Sequence, residues 1–170
     1  MDERAETPAV DNRTNVKRAS DREMVVTRLF DAPVRIVFEA WTRPELFMRW
    51  WAPRSMGVPL RSCDMDVRTG GGYRLEFGQD AENVFAFYGK YLEVVPNARL
   101  VWTNEEDSDG AVTTVTFEEQ DGKTLLTFCD RYPSQEALDE ALAGMAEGMP
   151  EQFAQLDELL ADLATNPGGS

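Results

Sequence analysis

Carboxylates are the residues of this chain best suited to chemistry, because the sequence contains no histidine. The commonest general base is therefore missing, and catalysis by a Ser-His-Asp triad or a Cys-His pair is excluded. Glu76, Glu93 and Asp130 lie in strand-like runs, where an apolar wall would raise the pKa of a carboxyl group and suit it to general acid–base work. Strand alternation places Glu76 outward, and Asp130 with Arg131 can instead pair or cap the following helix. The sequence therefore assigns no catalytic residue and leaves enzymatic activity undecided, with the balance against it.

The other residues that could hold a metal or a reactive group form weak patterns. Cys63 and Cys129 fall on separate predicted strands, so we expect two reduced, buried thiols rather than a disulfide framework. The glycines Gly70–Gly72 are followed by neither a helix nor the lysine of a phosphate-binding loop, which predicts a plain hairpin turn. Without histidine, and with two distant cysteines, the sequence predicts no transition-metal site and no cofactor.

The charge of the chain limits its partners. Its 170 residues carry a formal net charge of −14 at pH 7, which argues against nucleic acid, whose phosphates require Lys and Arg. The same charge argues against docking on an anionic membrane. Acidic side chains are concentrated between Ser134 and Leu163, where no Lys or Arg occurs. We expect a solvated helix face there, and a basic partner is the alternative.

The apolar runs of the sequence are short. None reaches the roughly 18 residues that span a bilayer, and the N-terminus lacks the apolar segment of a signal peptide. Together with two unpaired cysteines, these features predict a cytoplasmic protein.

Hydrophobic periodicity predicts one domain with a tail at each end. Residues 1–22 are polar and have no apolar period, and residues 165–170 read TNPGGS. Both segments are expected to be flexible, because they cannot bury apolar surface. The domain is expected over residues 23–164.

Two short helices are predicted between the first strand, Met24–Phe30, and the rest of the sheet. Asp31 is placed to cap the first helix, and an apolar stripe ends at Trp41. The TRPE pattern at Thr42–Glu45 then predicts a capping box and the start of a second helix, whose apolar side ends at Trp50 and Trp51.

Six further strands and one long helix follow. Ser134 is predicted to cap the helix, and an apolar stripe runs along it from Leu138 to Leu163. Pro150 interrupts the stripe, which predicts a kink or two helices. The six strands are expected at Leu60–Arg68, Tyr73–Phe77, Val84–Val95, Arg99–Thr103, Val112–Glu119 and Thr124–Cys129.

An ordered series of motifs resembles one superfamily. FDAPxxxVFEAWTxPE begins at Phe30, DxRxGG occupies Asp66–Gly71, and GKYLEVVP and RLVWT follow from Gly89. The later YPSxEA, GMxxGM and LDELL, from Tyr132 to Leu160, fit a common bacterial subgroup. The set resembles the START-like, helix-grip (SRPBCC) superfamily. Within it, the chain is similar to bacterial proteins related to the C-terminal domain of the activator of the ninety-kilodalton heat-shock chaperone ATPase.

The resemblance implies an α+β helix-grip fold. Its seven-stranded antiparallel sheet would wrap around the long C-terminal helix, with the two short helices between strands 1 and 2. Relatives hold lipids, sterols, polyketides or other hydrophobic ligands between sheet and helix, and a few are enzymes. The resemblance implies no universal catalytic residue.

The predicted function is therefore binding of a small hydrophobic ligand, such as a lipid, a polyketide or an aromatic compound, in an internal cavity. Aromatic and methionine side chains suit such a site, although a dry packed core would show the same alternation. Tyr73, Tyr91 and Trp102 would supply polar groups for orientation. The residues expected to line the cavity or close one end are Trp50, Met56, Met65, Tyr73, Leu75, Phe77, Phe85, Phe87, Tyr91, Trp102, Phe117, Phe128, Met145, Met149 and Phe153.

Two alternative functions remain open at this point. The family name suggests a protein-interaction module that acts as a chaperone cofactor in the stress response. The third alternative is an enzyme that uses a buried carboxylate and a tyrosine inside the cavity. A homodimer through a sheet edge or the acidic helix is compatible with the pattern.

Overall fold

The structure, a computed structural model, describes residues 14–52, 54–78, 80, 82, 84–105 and 111–165, apart from the side chains of residues 56, 143–147 and 165. The helices within these residues are α1 (Val34–Thr42), α2 (Pro44–Phe47) and α3 (Gln135–Thr165), with a 3₁₀ turn at Arg54–Met56. The strands are β1 (Asn15–Arg18), β2 (Glu23–Phe30), β3 (Leu60–Met65), β4 (Gly72–Gly78), β5 (Val84–Val95), β6 (Arg99–Thr103), β7 (Val112–Gln120) and β8 (Lys123–Arg131).

All eight strands join one antiparallel sheet in the order β1-β2-β8-β7-β6-β5-β4-β3. The α+β class, the antiparallel sheet, the helix pair and the long C-terminal helix are confirmed. The predicted number of seven strands is wrong. The additional strand, β1, lies in the segment expected to be a tail and pairs with β2. Four residues with the sequence NVKR are too short and too polar to show strand alternation.

The starts of the two short helices differ from the sequence prediction. Pro33 occupies the N-cap position of α1, and no side chain caps that helix. Thr42 is the last residue of α1, and its hydroxyl donates to the carbonyl of Phe38 at 2.9 Å. Because this hydroxyl bonds backward along its own helix, it cannot form the predicted capping box of α2.

The long strand β5 contains an irregular pairing and a glycine in close contact with β6. The pairing of β5 with β6 shifts register between Tyr91 and Glu93. A Cβ on Gly89 would lie 1.9 Å from the carbonyl oxygen of Thr103, so the two strands approach each other too closely for any other residue. The irregularity lies beyond Phe87, whose cross-strand partner on β4 is Leu75. The first half of β5 therefore keeps the predicted register.

Helix α3 runs without interruption through Pro150, so the predicted division into two helices is not observed. Ser134 accepts a hydrogen bond from the amide of Ala137 at 3.1 Å, which caps the helix as expected. The second half of α3 buries Phe153, Leu156 and other apolar side chains in the core. This half therefore fixes the helix against the sheet and the helix pair.

Much of the acidic surface on the second half of α3 is paired within the chain. The carboxylate of Asp157 contacts the guanidinium of Arg28 at 2.8 Å. Arg49 pairs with Asp162 at 3.0 Å, and Arg54 with Glu158 at 2.9 Å. The side chains of Asp157, Asp162 and Glu158 remain 38%, 49% and 61% exposed, so this face is solvated as expected, and basic residues from β2 and the segment after α2 neutralise part of its charge.

A buried glutamine fastens α3 to the segment that follows α2. Gln155 is 4% exposed, and its amide nitrogen donates to the carbonyls of Trp50 at 3.0 Å and Ala52 at 2.9 Å. Its amide oxygen accepts from the backbone N–H of Arg54 at 2.9 Å. One side chain thus satisfies three backbone groups that no regular element pairs.

Replacing Gln155 by leucine is expected to lower the free energy of unfolding by about 1–3 kcal/mol, because it leaves backbone groups buried and unpaired. Urea denaturation measures the change. Glu158→Gln is the matched control, since it removes only a solvent-screened ion pair one turn away, and its effect should be clearly smaller. Equal effects of the two variants would contradict the role given to Gln155.

Candidate functional site

A cavity of about 480 Å³ lies between the sheet, the helix pair and the first half of α3. Every strand from β3 to β8 and all three α-helices contribute to its wall. Ten of the lining residues are aromatic, and the non-aromatic polar ones come from β7, β8, the adjoining loops and α3. The lining residues are Trp41, Phe47, Trp51, Met65, Tyr73, Leu75, Phe77, Phe87, Tyr91, Trp102, Asn104, Ala111, Thr113, Phe128, Asp130, Tyr132, Ala137, Glu140, Ala141, Met149 and Gln152.

Nine of the fifteen residues selected from the sequence line this cavity. Cross-strand pairing explains why they meet: Tyr91 lies opposite Trp102, and Leu75 lies opposite Phe87. Side chains directly opposite each other share a face of the sheet. The nine are Met65, Tyr73, Leu75, Phe77, Phe87, Tyr91, Trp102, Phe128 and Met149.

Four of the selected residues lie elsewhere. Trp50 is fully buried in the core, where its indole nitrogen donates to the carbonyl of Ala40 at 3.0 Å. Phe117 packs against Phe38 with ring centroids 5.2 Å apart, and Phe153 packs against Phe30 at 5.4 Å. These corrections share one cause, which is that the helix pair and the second half of α3 fill that end of the fold.

Phe85 is the fourth residue outside the cavity. Its ring stacks on Phe77 at 5.6 Å, but it is 47% exposed and lies beyond the lining. The remaining two selected residues, Met56 and Met145, have side chains outside the described part of the chain.

Sequence reasoning missed two groups of lining residues. Trp41, Phe47 and Trp51 form an aromatic wall contributed by the helix pair. Their apolar stripe was visible in the sequence, but a stripe does not tell a cavity wall from a packed core. The second group is polar and includes Asn104, Thr113 and Gln152, for which hydrophobic periodicity gives no signal.

Hydrogen bonds connect the polar lining residues into a network. The hydroxyl of Tyr73 lies 2.7 Å from the carbonyl oxygen of Thr103 and 3.3 Å from the side-chain oxygen of Asn104. The Asn104 amide donates to the Thr113 hydroxyl at 3.0 Å, and that hydroxyl donates to Asp130. The network thus leads from an aromatic wall of the cavity to a buried carboxylate.

Asp130 is the carboxylate of the cavity most enclosed by protein. It is 5% exposed, and burial raises its pKa from 3.8 to about 6, against the opposing effect of hydrogen bonds from Thr113 and Tyr132. The hydroxyl of Tyr132 donates to it at 3.1 Å. A carboxyl group with this pKa can accept or release a proton near neutral pH.

The other two candidate carboxylates do not line the cavity. Glu76 pairs with Arg74 at 2.8 Å, and that hydrogen bond lowers the pKa of Glu76. Glu93 pairs with Arg99 at 2.8 Å. Of the three carboxylates named from the sequence, Asp130 therefore alone combines burial with a place in the cavity wall.

Burial also keeps two neighbouring groups protonated. It raises the pKa of the Cys63 thiol to about 12 and raises the pKa of the Tyr91 hydroxyl, which lines the cavity. Cys63 and Cys129 are both unpaired. Tyr91 can therefore serve as a hydrogen-bond donor at neutral pH, whereas Cys63 is not activated as a nucleophile.

The described residues contain no group of three Cys, Asp or Glu placed to hold a metal ion. Among the helices they form, none has the length and apolar character needed to cross a bilayer.

An antiparallel sheet, a long C-terminal helix and a cavity between them define a START-like, helix-grip protein. Residues 31–161 match the family described as "Activator of Hsp90 ATPase homolog 1-like protein". The chain belongs to this family, which confirms the resemblance seen in its motifs.

Solved structures of bacterial proteins show the same fold. One from Rhodobacter sphaeroides is 26% identical, with a TM-score of 0.80 over 88% of this chain and 99% of that one. Protein Ms6760 from Mycobacterium smegmatis is 27% identical, with a TM-score of 0.75 over 88% of this chain and 98% of that one. An AHSA1-like protein from Aeromonas hydrophila shares the fold at 20% identity and a TM-score of 0.66, over 79% of this chain and 93% of that one. A comparison with curated proteins gave no match.

Proposed function

We propose that this protein binds a small hydrophobic molecule in the cavity between its sheet and α3. The observation that carries the proposal is a cavity of about 480 Å³ with ten aromatic residues in its lining. Pockets that bind small molecules measure roughly 300–1,000 Å³ and combine apolar walls with a few polar groups. Burial of apolar ligand surface would supply the affinity, and the hydroxyls of Tyr73, Tyr91 and Tyr132 would orient the ligand.

The test is a fluorescence titration with a fatty acid, a sterol, a flavonoid and small aromatic compounds. Trp41, Trp51 and Trp102 line the cavity, so an occupant should change tryptophan emission in a saturable way and raise the melting temperature. Ala141→Phe puts a larger side chain into the cavity from α3 and should weaken binding about tenfold or more.

Ala154→Phe is the matched control, because Ala154 lies on the same helix with its side chain exposed. This variant should bind like the parent. A flat response across the panel, with no thermal stabilisation, would overturn the proposal and favour the protein-interaction alternative that the family name suggests.

One observation favours a second candidate, an enzyme acting on a molecule held in the cavity. Asp130 and Tyr132 place a carboxyl group with a pKa of about 6 beside a phenol in the cavity wall. Such a pair can exchange protons with a bound ligand. Product analysis of bound ligands, with the parent and Asp130→Asn compared, distinguishes catalysis from binding alone.

A further inference from the structure

We propose, on the basis of the ligand-binding function above, that the cavity selects an apolar molecule carrying a protonated amine, which Asp130 receives, and that it rejects an apolar carboxylate. The proposal rests on the charges of the cavity wall, on the position of Asp130 in that wall and on the aromatic rings that line the same cavity.

The charges in the wall have one sign. Asp130 and Glu140 line the cavity, and no Lys or Arg does so among the residues that the structure describes. A carboxylate ligand would therefore lose its hydration without gaining a cationic partner, which is strongly unfavourable in an apolar site. The net charge of −14 repels an anion during its approach as well.

The carboxylate of Asp130 can accept further hydrogen bonds from a ligand. A carboxylate can accept about four hydrogen bonds, and Asp130 accepts one from Thr113 and one from Tyr132. These two hydrogen bonds fix the orientation of the carboxyl group. An ammonium N–H can therefore add to an acceptor that is already oriented.

Burial makes a cation the better partner for this acceptor. Asp130 is 5% exposed even in the free protein, so its desolvation has already been incurred before a ligand arrives. A ligand ammonium then neutralises a buried charge, whereas a neutral hydroxyl supplies a hydrogen bond without that compensation. We therefore expect an amine to bind more tightly than the matching alcohol.

The aromatic residues of the cavity wall also favour a ligand that carries a positive charge. Tyr73, Tyr91 and Trp102 line the cavity, and the centroid of the Trp102 ring lies 6.4 Å from Tyr73 and 6.3 Å from Tyr91. The faces of such rings attract cations, most strongly where water is excluded. Leu75 and Phe87 offer apolar contact for the body of the ligand.

The experiment compares three probes with the same apolar body: 2-(1-naphthyl)ethylamine, 2-(1-naphthyl)ethanol and 1-naphthaleneacetic acid. Isothermal titration calorimetry at pH 7.5 is expected to show the amine binding about tenfold more tightly than the alcohol, with the acid weakest. In Asp130→Asn the amine should lose this advantage over the alcohol, while the alcohol keeps its affinity within a few-fold.

The outcomes separate this proposal from the function on which it rests. Equal affinities for amine and alcohol, or a preference for the acid, would overturn the selection of an amine and leave the cavity function intact. The absence of binding by all three probes and by the wider panel would overturn both. The comparison on the parent protein remains decisive if Asp130→Asn folds poorly, and Ala141→Phe should weaken every probe that binds in the cavity.

Discussion

Replacing Trp41 by alanine is expected to lower the free energy of unfolding by about 3–5 kcal/mol. Trp41 is 1% exposed, and its ring is the centre of the aromatic core. Ring centroids from α2, the segment after it, the sheet and α3 lie 4.8–6.5 Å away. The neighbouring rings are Phe47, Trp50, Trp51, Trp102, Phe117, Phe128 and Phe153.

The effect should be large because neighbours from different elements cannot all move into the space that the indole leaves. Truncation therefore removes dispersion contacts on several sides and enlarges the existing cavity. Chemical denaturation measures the loss, and tryptophan emission cannot be the only probe, since the variant lacks one of the four tryptophans. Far-ultraviolet circular dichroism follows the same transition.

Trp41→Phe provides the matched comparison. Among the described residues, the indole N–H of Trp41 has no hydrogen-bond partner. Phenylalanine keeps most of the ring contacts and removes this buried, unpaired donor, so its effect should be much smaller than that of alanine. If both variants lost the same stability, ring packing would not explain the role of Trp41.

The fold was predictable because long elements have strong periods. Alternation identified the strands at Leu60–Arg68 and Tyr73–Phe77, which the structure shows as β3 and β4, and the apolar stripe identified α3. β1 was missed because its four residues gain their conformation from pairing with β2 rather than from any pattern of their own. For Pro150 the sequence left a kink or two helices open, and the structure shows one continuous helix, because packing of the helix overrides the local preference against proline.

For the apolar residues of the site, the sequence predicted which face of the sheet they share but not which of them line the cavity. Alternation correctly placed Leu75 and Phe87 on the same face of the sheet. The same alternation applies to Phe117, which packs against the helix pair instead. The alternation of a strand shows on which face of the sheet a side chain lies, but not whether a helix or a cavity lies opposite it. Which inward residues meet a cavity therefore depends on where the helices lie.

The polar part of the site contained a signal in the sequence. Asp121 and Gly122 form the hairpin turn, both with positive φ, as the Asp-Gly pair predicts. Counting back along both strands from this turn pairs Thr113 with Asp130, and the structure shows that pairing. A two-residue turn fixes register, so the contact between hydroxyl and carboxylate followed from the turn, whereas the approach of Asn104 required the tertiary fold.

Between pH 4 and pH 7, Asp130→Asn is expected to gain about 3 kcal/mol of stability relative to the parent. Burial raises the pKa of Asp130 in the folded protein from its ordinary 3.8 to about 6. Between these two pH values the folded state binds the proton and the unfolded state releases it. The stability contributed by the protonated group is therefore complete below about pH 4 and is lost as the pH rises through about 6.

Asparagine has nearly the same shape and does not ionise, so it removes this loss. The hydrogen bonds from Thr113 and Tyr132 complicate the absolute stabilities, and Glu140 shares the cavity with Asp130. The difference between variant and parent, measured by urea denaturation at several pH values, cancels the titration of the other acids, which both proteins contain. Parallel curves for the two proteins would contradict the raised pKa.

Tyr132→Phe tests the cause of the shift from the opposite direction. The hydrogen bond that Tyr132 donates lowers the pKa of Asp130 against the effect of burial. Without it, the carboxyl group should titrate at a higher pH. The loss of stability should still begin near pH 4, where the unfolded state releases its proton, but it should continue to a higher pH and become larger. Carbon-13 NMR of the Asp130 carboxyl group measures this directly. A shift of the titration to lower pH would show that the phenol, rather than burial, keeps the proton in place.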